Sequence, residues 1–158
     1  MTNWQSFVKI ILCAMKESIG LFRFTEAHRC SFQCALEEVA AGRKVSDWMW
    51  FIFPQIKGLG KSSTSKYYAI QSLDEARAFL NDSYLGNNLL TISNVLLDLK
   101  TDNPTAIFGK PDDMKLRSCM TLFASITDAG SVFHKVLDKF FDGRADMRTL
   151  RIILSKDP

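Results

Sequence analysis

Two stretches of the sequence carry side chains that could bind an anion, and the first lies at residues 57–63. Gly58 and Gly60 can adopt positive φ and let backbone amides approach a ligand closely. Lys61 adds positive charge, and Ser62 adds a hydroxyl at the start of a predicted helix that continues toward residue 70. A glycine-rich turn that enters a helix is a favourable anion site, because free amides and the helix dipole point at it. The alternative is a structural turn capped by its own serines.

Part of this loop resembles a nucleotide-binding P-loop. The tripeptide Gly60-Lys61-Ser62 fits the end of that motif, but the motif requires a glycine five positions before its last glycine, where this chain has Gln55. An aromatic block also precedes the loop, in the place of a buried strand. The sequence therefore argues against a nucleotide-hydrolysing P-loop. Gln55 is kept as a candidate ligand-binding residue.

The second stretch lies on a helix predicted from Pro111 to about Ser125. Lys115 and Ser118 share one face beside the apolar stripe, with Thr121 near its edge. An ammonium group and hydroxyls placed in this way could bind a phosphate or a carboxylate. The order of the two residues is the reverse of the Ser-x-x-Lys motif of nucleophilic hydrolases. The alternative is a solvated helix face whose lysine pairs locally with one of the two preceding aspartates.

The aromatic block holds two tryptophans, Trp48 and Trp50. Positions two apart on a helix point in different directions. One indole is therefore expected in the core, and the other could line a cleft or stack on a ligand ring. The alternative is that both indoles belong to the core, where each N–H would need a partner.

Other chemistry is sparse. His28, Cys30 and Cys34 are metal-ligand types, but two thiols one turn apart supply only two donors on one side, and the chain has no CxxC pair. We therefore predict no metal site, and the spacing assigns no catalytic residue and no cofactor. Arginines near the C-terminus form a modest basic face without interleaved aromatic residues, which is more typical of solvated surface than of an RNA-binding strip.

Length and composition narrow the class of protein. The chain has 158 residues, of which 47% are hydrophobic and 23% are charged, and its net charge is +3. These values are typical of one globular domain, and the small charge permits an anionic ligand without indicating nucleic acid. No apolar run has the length of a bilayer span. The apolar patch at residues 10–15 lacks a preceding basic region and makes a poor signal peptide, so four cysteines indicate reduced thiols in the cytoplasm.

Helical periodicity dominates the rest of the chain and predicts a compact all-α fold of about seven to nine helices, several of them short. Apolar stripes predict a first helix that ends at Gly20 and a second that ends at Gly42. Capping signals predict further helix starts at Ser72, Asn103 and Asp146. The residues of the four apolar stripes are Trp4, Phe7, Ile11 and Met15; Phe32, Leu36 and Val39; Leu85, Leu89, Ile92, Leu96 and Leu99; and Phe133, Val136, Leu137, Phe140 and Phe141.

The chain also resembles a known family, the bacterial domain-of-unknown-function family 1810. The resemblance covers roughly residues 22–153 and is most specific in the tryptophan block. It is carried by Trp48-Met49-Trp50-Phe51-Ile52-Phe53-Pro54-Gln55, Gly58-Leu59-Gly60 with Ser62, Tyr68-Ala69-Ile70, Glu75-Ala76, Phe79-Leu80, Leu85-Gly86, Ile107-Phe108-Gly109, Asp112, Lys115-Leu116, Ser118, Met120-Thr121-Leu122-Phe123, Phe140, Gly143, Asp146 and Thr149-Leu150.

The resemblance implies a mainly helical fold and no established activity. Some relatives carry a calpastatin-like label, which this sequence does not support because calpastatins are disordered inhibitors and this chain is built to fold. The chain departs from the family pattern at Asp47, where histidine is frequent, around Tyr84 and Asn88, where proline and arginine are frequent, and at Cys119, where serine is frequent. A family site that used those residues would be altered here.

The resemblance also divides the chain. Residues 1–20 lie outside it and are expected to be an added N-terminal helix, or an upstream start with Met15 as the alternative. Residues 21–158 are expected to form one helical domain.

Two functional hypotheses remain. In the first, the protein binds, and could act on, a small anionic or nucleotide-like ligand in a cleft between the Gly58–Ser63 loop and the Lys115–Ser118 helix, with a tryptophan as an apolar wall. In the second, the domain is a protein–protein interaction module without catalytic activity. The oligomeric state and the physiological pathway are left open.

Overall fold

The structure, a computed structural model, describes residues 3–156, and of residues 14, 16–19 and 156 it describes only the backbone. Within residues 3–156 it contains nine α-helices, and a parallel bridge between Ile56 and Ile70 is the β-type pairing of this range. The predicted all-α fold is confirmed. The helices are α1 (Asn3–Ala40), α2 (Met49–Ile52), α3 (Ser63–Tyr67), α4 (Leu73–Asn81), α5 (Leu85–Asp98), α6 (Pro104–Phe108), α7 (Asp112–Ala124), α8 (Val132–Phe141) and α9 (Met147–Lys156).

The first helix is longer than the sequence predicts. Gly20 was expected to end a helix, but α1 continues through it as one helix of 38 residues. A glycine inside a helix costs only about 1 kcal/mol relative to alanine, and the complete burial of Phe24 one turn later offsets this cost. The predicted end at Gly42 is confirmed, since this glycine follows the helix with φ of 75°.

The predicted helix starts at Ser72, Asn103 and Asp146 are confirmed. The hydroxyl of Ser72 accepts the amide of Glu75, and the side chain of Asn103 accepts the first amides of α6. The carboxylate of Asp146 accepts the amide of Thr149 in α9. Each of these bonds satisfies an amide that the helix itself leaves without a partner, and such a cap contributes about 1 kcal/mol.

The hydrophobic core is built around α5 and α7. Leu85, Leu89, Ile92 and Leu96 of α5 are completely buried, as their helical spacing predicts. α5 packs against α1, α4 and α8, and α7 packs against α6, α8 and α9. Full burial of one such side chain contributes roughly 1.5–3 kcal/mol. The two helices therefore form the buried centre to which the loops are attached.

Two basic side chains attach loops and helix ends to this centre. Arg23 of α1 donates to the carbonyls of Tyr67 and Ala69 and pairs with Glu75, which fixes the segment between α3 and α4. The ammonium group of Lys139 in α8 donates to three carbonyls at the end of α5, those of Leu96, Leu97 and Leu99. A cation placed there satisfies carbonyls that the helix leaves without a partner and interacts favourably with the helix dipole.

Among residues 3–156, no helix combines the length and the hydropathy that are needed to span a membrane.

Candidate functional site

A pocket of about 360 Å³ opens between the segment from α2 to Gly60, the first half of α7 and the start of α9. It contains residues of both stretches that the sequence singled out, although about fifty positions separate them. Gly60 comes from the first stretch, Trp50 and Gln55 come from the aromatic block that precedes it, and Lys115 and Ser118 come from the second stretch. Its lining is completed by Leu59, Pro111, Met114, Asp146 and Arg148.

The aromatic block and the second stretch meet at a contact between Lys115 and Trp50. The ammonium nitrogen of Lys115 lies 3.6 Å from the centroid of the indole ring, where the negative face of the ring attracts a cation. The same nitrogen lies 2.9 Å from Oδ1 of Asp112, one turn earlier on α7. The local ion pair expected under the alternative interpretation of this helix is therefore present, together with the contact to the aromatic block.

Asp112 is shared between two lysines. Its second oxygen, Oδ2, lies 2.9 Å from the ammonium nitrogen of Lys44, whose side chain is almost fully buried. Burial alone would raise the pKa of Asp112, but the hydrogen bonds and charges of Lys115 and Lys44 outweigh it and hold the pKa below its ordinary value. The carboxylate is therefore ionised at neutral pH. One negative and two positive charges leave this cluster with a net charge of +1.

Asp146 and Ser118 also line the pocket and are hydrogen-bonded to each other. Oδ2 of Asp146 lies 3.0 Å from the hydroxyl oxygen of Ser118 and accepts both the amide and the hydroxyl of Thr149. Burial would raise the pKa of Asp146, but these hydrogen bonds outweigh it and lower the pKa below its ordinary value. Ser118 therefore ties α7 to the start of α9 as well as lining the pocket.

The start of α9 is held against α7 by two further side chains. Arg117 donates to the carbonyls of Arg144 and Ala145, and the hydroxyl of Thr121 accepts the amide of Asp146. These bonds place Asp146 and Arg148 in the pocket. From the sequence, Asp146 was expected only as a helix cap and Arg148 only as solvated surface. No spacing rule connects them with α7, because a loop and the whole of α8 intervene in the chain.

Both glycines of the loop have a packing role. A Cβ atom added to Gly60 would lie 2.4 Å from Cβ and Oγ of Ser65, which is closer than two such atoms can approach. Gly58 has φ of 109°, and a Cβ there would lie 3.3 Å from the side chain of Ile152. The backbone freedom that suggested an anion site is therefore used to fold the loop onto α3 and α9.

The N-terminus of α3 is closed by its own residues. Oγ of Ser62 accepts the amide of Ser65 and lies 3.0 Å from the Ser65 hydroxyl oxygen. The helix has only five residues, and it ends at Tyr67 instead of continuing to Ile70, which pairs with the loop. Lys61 and Ser62 are exposed and lie outside the pocket lining.

The two tryptophans occupy different environments. Trp48 is 1% exposed, and its indole N–H donates to Oε2 of Glu38 over 2.8 Å. Its ring packs against Phe53 and Phe108 in the core. The structure therefore places Trp48 in the core, and the indole that faces the pocket is that of Trp50.

Glu38 organises the loop that precedes the tryptophan block, which sequence reasoning missed. Its carboxylate accepts the amides of Val45 and Ser46, the hydroxyl of Ser46 and the indole N–H of Trp48. Burial would raise the pKa of Glu38, but these hydrogen bonds lower it from 4.5 to about 2. An acid in the last turn of a helix opposes the helix dipole. The unfavourable position of Glu38 in the last turn of α1 is the signal in the sequence that could have indicated hydrogen-bond donors nearby.

The metal-ligand types form no site in the part of the chain that the structure describes, where no three such side chains gather. Cys30 and Cys34 are exposed, whereas His28 is buried between α1, α2 and α5. Its Nε2 lies 2.8 Å from the carbonyl oxygen of Phe51, and its Nδ1 lies 3.2 Å from the amide nitrogen of Asn88. Since a carbonyl only accepts, Nε2 carries the proton and Nδ1 accepts from Asn88.

The three departures from the family pattern lie away from the pocket. Asp47 is exposed and outside the lining. Asn88 is buried against His28, and Cys119 is buried in the core, where burial raises the pKa of its thiol. The substitution at Cys119 therefore concerns packing of α7.

These observations define an all-α protein with a pocket of mixed charge that is lined on one side by an indole. The chain belongs to the protein family of unknown function DUF1810, whose family model matches residues 18–153. Among solved structures it is similar to the conserved hypothetical protein Rv1873 from Mycobacterium tuberculosis, with 42% sequence identity and a TM-score of 0.82, over 85% of this chain and 96% of that chain. The search of curated proteins found no match. The predicted family membership is confirmed, and neither name states an activity.

Proposed function

We propose that this protein binds a small anionic, nucleotide-like ligand in the pocket between the Gly58–Ser63 loop and the Lys115–Ser118 helix. The observation that carries the proposal is the joint lining of one pocket by Trp50, Gln55 and Gly60 with Lys115 and Ser118. The pocket volume of about 360 Å³ lies in the range of small-molecule sites, roughly 300–1,000 Å³.

The charges around the pocket favour an anion near Lys115. Lys115 and Arg148 contribute two positive charges to the lining, and Asp146 contributes one negative charge. Because Asp112 is already shared with Lys44, the pairing of Lys115 with Asp112 does not cancel the positive charge of this cluster. A unit negative charge about 4 Å from a net positive charge gains roughly 4 kcal/mol at an effective dielectric constant of 20. The anion is therefore bound by side chains and not by the amides of α3.

The remaining lining indicates what else the ligand carries. Leu59, Met114 and the indole of Trp50 supply apolar surface for a ring. The carboxylate of Asp146, ionised because its pKa is lowered, accepts hydrogen bonds from hydroxyl or amino groups. A phosphorylated sugar attached to a base combines these features. The proposal concerns binding and assigns no bond-breaking step.

The test is a thermal-shift screen of the whole protein against nucleoside monophosphates, ADP-ribose and sugar phosphates, with the uncharged nucleosides as matched controls. A ligand at a hundred times its Kd stabilises the native state by about 2.7 kcal/mol and raises the melting temperature. We expect stabilisation by the phosphorylated compounds and none by the nucleosides. Equal shifts with both sets, or no shift at millimolar concentration, would contradict the proposal.

Two lysine substitutions then locate the site. Lys115→Met keeps the aliphatic stem but removes the charge, and we expect it to weaken binding by about 1.4 kcal/mol or more, which is tenfold in Kd. Lys61→Met removes an exposed lysine outside the lining and is the matched control, with Kd unchanged. Isothermal titration calorimetry measures both constants, and melting temperatures of the unliganded variants show that each is folded. Equal losses in both variants would move the site away from Lys115.

The proposal also assigns the protein to the cytoplasm, because its exposed thiols at Cys30 and Cys34 suit a reducing compartment. The second hypothesis, an interaction module, is favoured by a different surface, the N-terminal part of α1.

A further inference from the structure

The N-terminal part of α1 is an arm with little covering from the rest of the chain. From Asn3 to Met15, each side chain that the structure describes is exposed except Val8, which is half-buried. Among the side chains that the structure describes, Leu21 is the first that is buried in the core. At 1.5 Å per residue, the twenty positions from Asn3 to Phe22 extend over about 30 Å. We call residues 3–22 the arm.

One face of the arm is a stripe of large apolar side chains. The positions follow one another at intervals of three, four, four and seven residues, which averages the 3.6-residue period and keeps them on one side of the helix. The stripe consists of Trp4, 74% exposed, Phe7, 54%, Ile11, 42%, Met15, 55%, and Phe22, 59%.

The exposed area of the stripe lies at the upper end of the range for the largest apolar patch on a monomer. Taking about 200 Å² for a fully exposed large side chain, the five exposed fractions give roughly 600 Å². The largest apolar patch on a typical monomer is about 300–600 Å² and is often functional. Two such stripes facing each other bury roughly 1,200 Å², which reaches the lower limit of stable protein interfaces.

The charge of the arm favours a second copy over a lipid surface as the partner. Between Asn3 and Phe22 the sequence carries two lysines and one glutamate. Helices that lie on anionic membranes usually have a polar face rich in lysine and arginine. An arm with a net charge of +1 gains little from such a surface, and two copies of it repel each other only weakly.

We propose that the arm pairs with the arm of a second copy of this chain, so that the stripes of the two copies form a symmetric dimer interface. A two-fold dimer uses the same patch on both copies, and a stripe on one helix face is self-complementary in this sense. The interface lies almost entirely outside residues 18–153, which the family model matches. The family model therefore does not describe it.

The proposal is independent of the pocket. The stripe shares no residue with the pocket lining, so loss of the dimer and loss of ligand binding are separate outcomes.

The test uses two exposed residues on opposite sides of the arm. Ile11 lies on the stripe, whereas Lys9 lies two helical steps, about 160° around the helix, away from it. Ile11→Glu and Lys9→Gln make the same change in charge. Analytical ultracentrifugation over micromolar concentrations is expected to give a reversible dimer for the wild type, an at least hundredfold weaker dimer for Ile11→Glu and less than a threefold change for Lys9→Gln.

Phe7→Glu is a second variant of the stripe, for use if Ile11→Glu folds poorly. We expect it to show the same loss of dimer affinity. Circular dichroism and the melting temperature check that each variant keeps its fold. A wild-type protein that stays monomeric at high micromolar concentration overturns the proposal, as do equal effects of Lys9→Gln and Ile11→Glu. Binding of a monomer to anionic vesicles, measured by co-sedimentation, would assign the stripe to a lipid surface instead.

Discussion

The buried imidazole of His28 makes the stability of this protein depend on pH. The side chain is 1% exposed and is held between the carbonyl of Phe51 and the amide of Asn88. Burial lowers its pKa from 6.5 to about 4, against the smaller raising effect of the bond to Phe51. At pH values between these limits the unfolded chain binds a proton that the folded chain does not bind. Stability is therefore complete above pH 6.5 and is lost as pH falls toward 4.

The size of the effect follows from the two pKa values of His28. A shift of one unit corresponds to 1.36 kcal/mol, so the full loss below pH 4 is about 3 kcal/mol. Between pH 7 and pH 5 the linkage relation gives a loss of about 2 kcal/mol. Protonation of carboxylates whose pKa values are lowered in the folded protein, such as Glu38 and Asp112, also destabilises the protein in acid. Their contribution begins near their unfolded pKa values, about 4, and is small at pH 5.

The assay is urea denaturation of the wild type and His28→Gln at pH 7 and pH 5. Glutamine has no titrating group, so we expect this variant to be less stable at pH 7 by about 1–3 kcal/mol through its altered hydrogen bonds and to change little on going to pH 5. Ile92→Val is the control, because it lowers stability by about 0.5–1.5 kcal/mol through packing alone and should keep the full loss in acid. A proton NMR titration that gave the imidazole in the folded protein a pKa near 6.5 would refute the reasoning.

Two further predictions concern positions that the structure explains by packing and hydrogen bonding. Gly60→Ala places a Cβ atom 2.4 Å from Ser65 and should destabilise the protein by about 1–3 kcal/mol. The double variant Gly60→Ala with Ser65→Gly should recover part of that loss in thermal denaturation. Absence of any recovery would exclude this contact as the cause. Glu38→Gln removes the charged acceptor of the Ser46 and Trp48 hydrogen bonds and, since the group is half-exposed, should lower the free energy of unfolding by about 1–2 kcal/mol. Glu37→Gln, on the exposed face of the same helix, is the control and should change the urea midpoint little. Equal effects of the two variants would contradict the assigned role of Glu38.

Local patterns predicted the helices well because their causes are local. The apolar spacing of α5 and the caps at Ser72 and Asn103 depend on side chains within one or two turns, and the structure contains them as expected. Gly20 was predicted wrongly as a helix end because the cost of a glycine is small beside the packing of Phe24, a contact that local sequence does not reveal.

The candidate site was predictable only in part. The sequence pointed to Trp50 and Lys115 as residues able to bind a ligand, and the structure brings them to 3.6 Å between ring centroid and ammonium nitrogen. It did not indicate that Asp146 and Arg148 join them, because Arg117 and Thr121 hold α9 in place through bonds to the backbone of a distant loop. Whether this pocket binds an anion stays a prediction.

The sequence by itself determined the class of the fold and the family, because helical periodicity, helix caps and the tryptophan block each depend on a short segment of the chain. Tertiary structure decided the contacts between distant segments. Asp112 pairs with Lys115 one turn away, as the local spacing allowed, but it also binds Lys44, which no local pattern connects with it. Likewise, Trp48 rather than Trp50 lies in the core, where Glu38 accepts its indole N–H. Such choices depend on which surfaces meet when helices pack, and the distance between two residues along the chain carries little information about that.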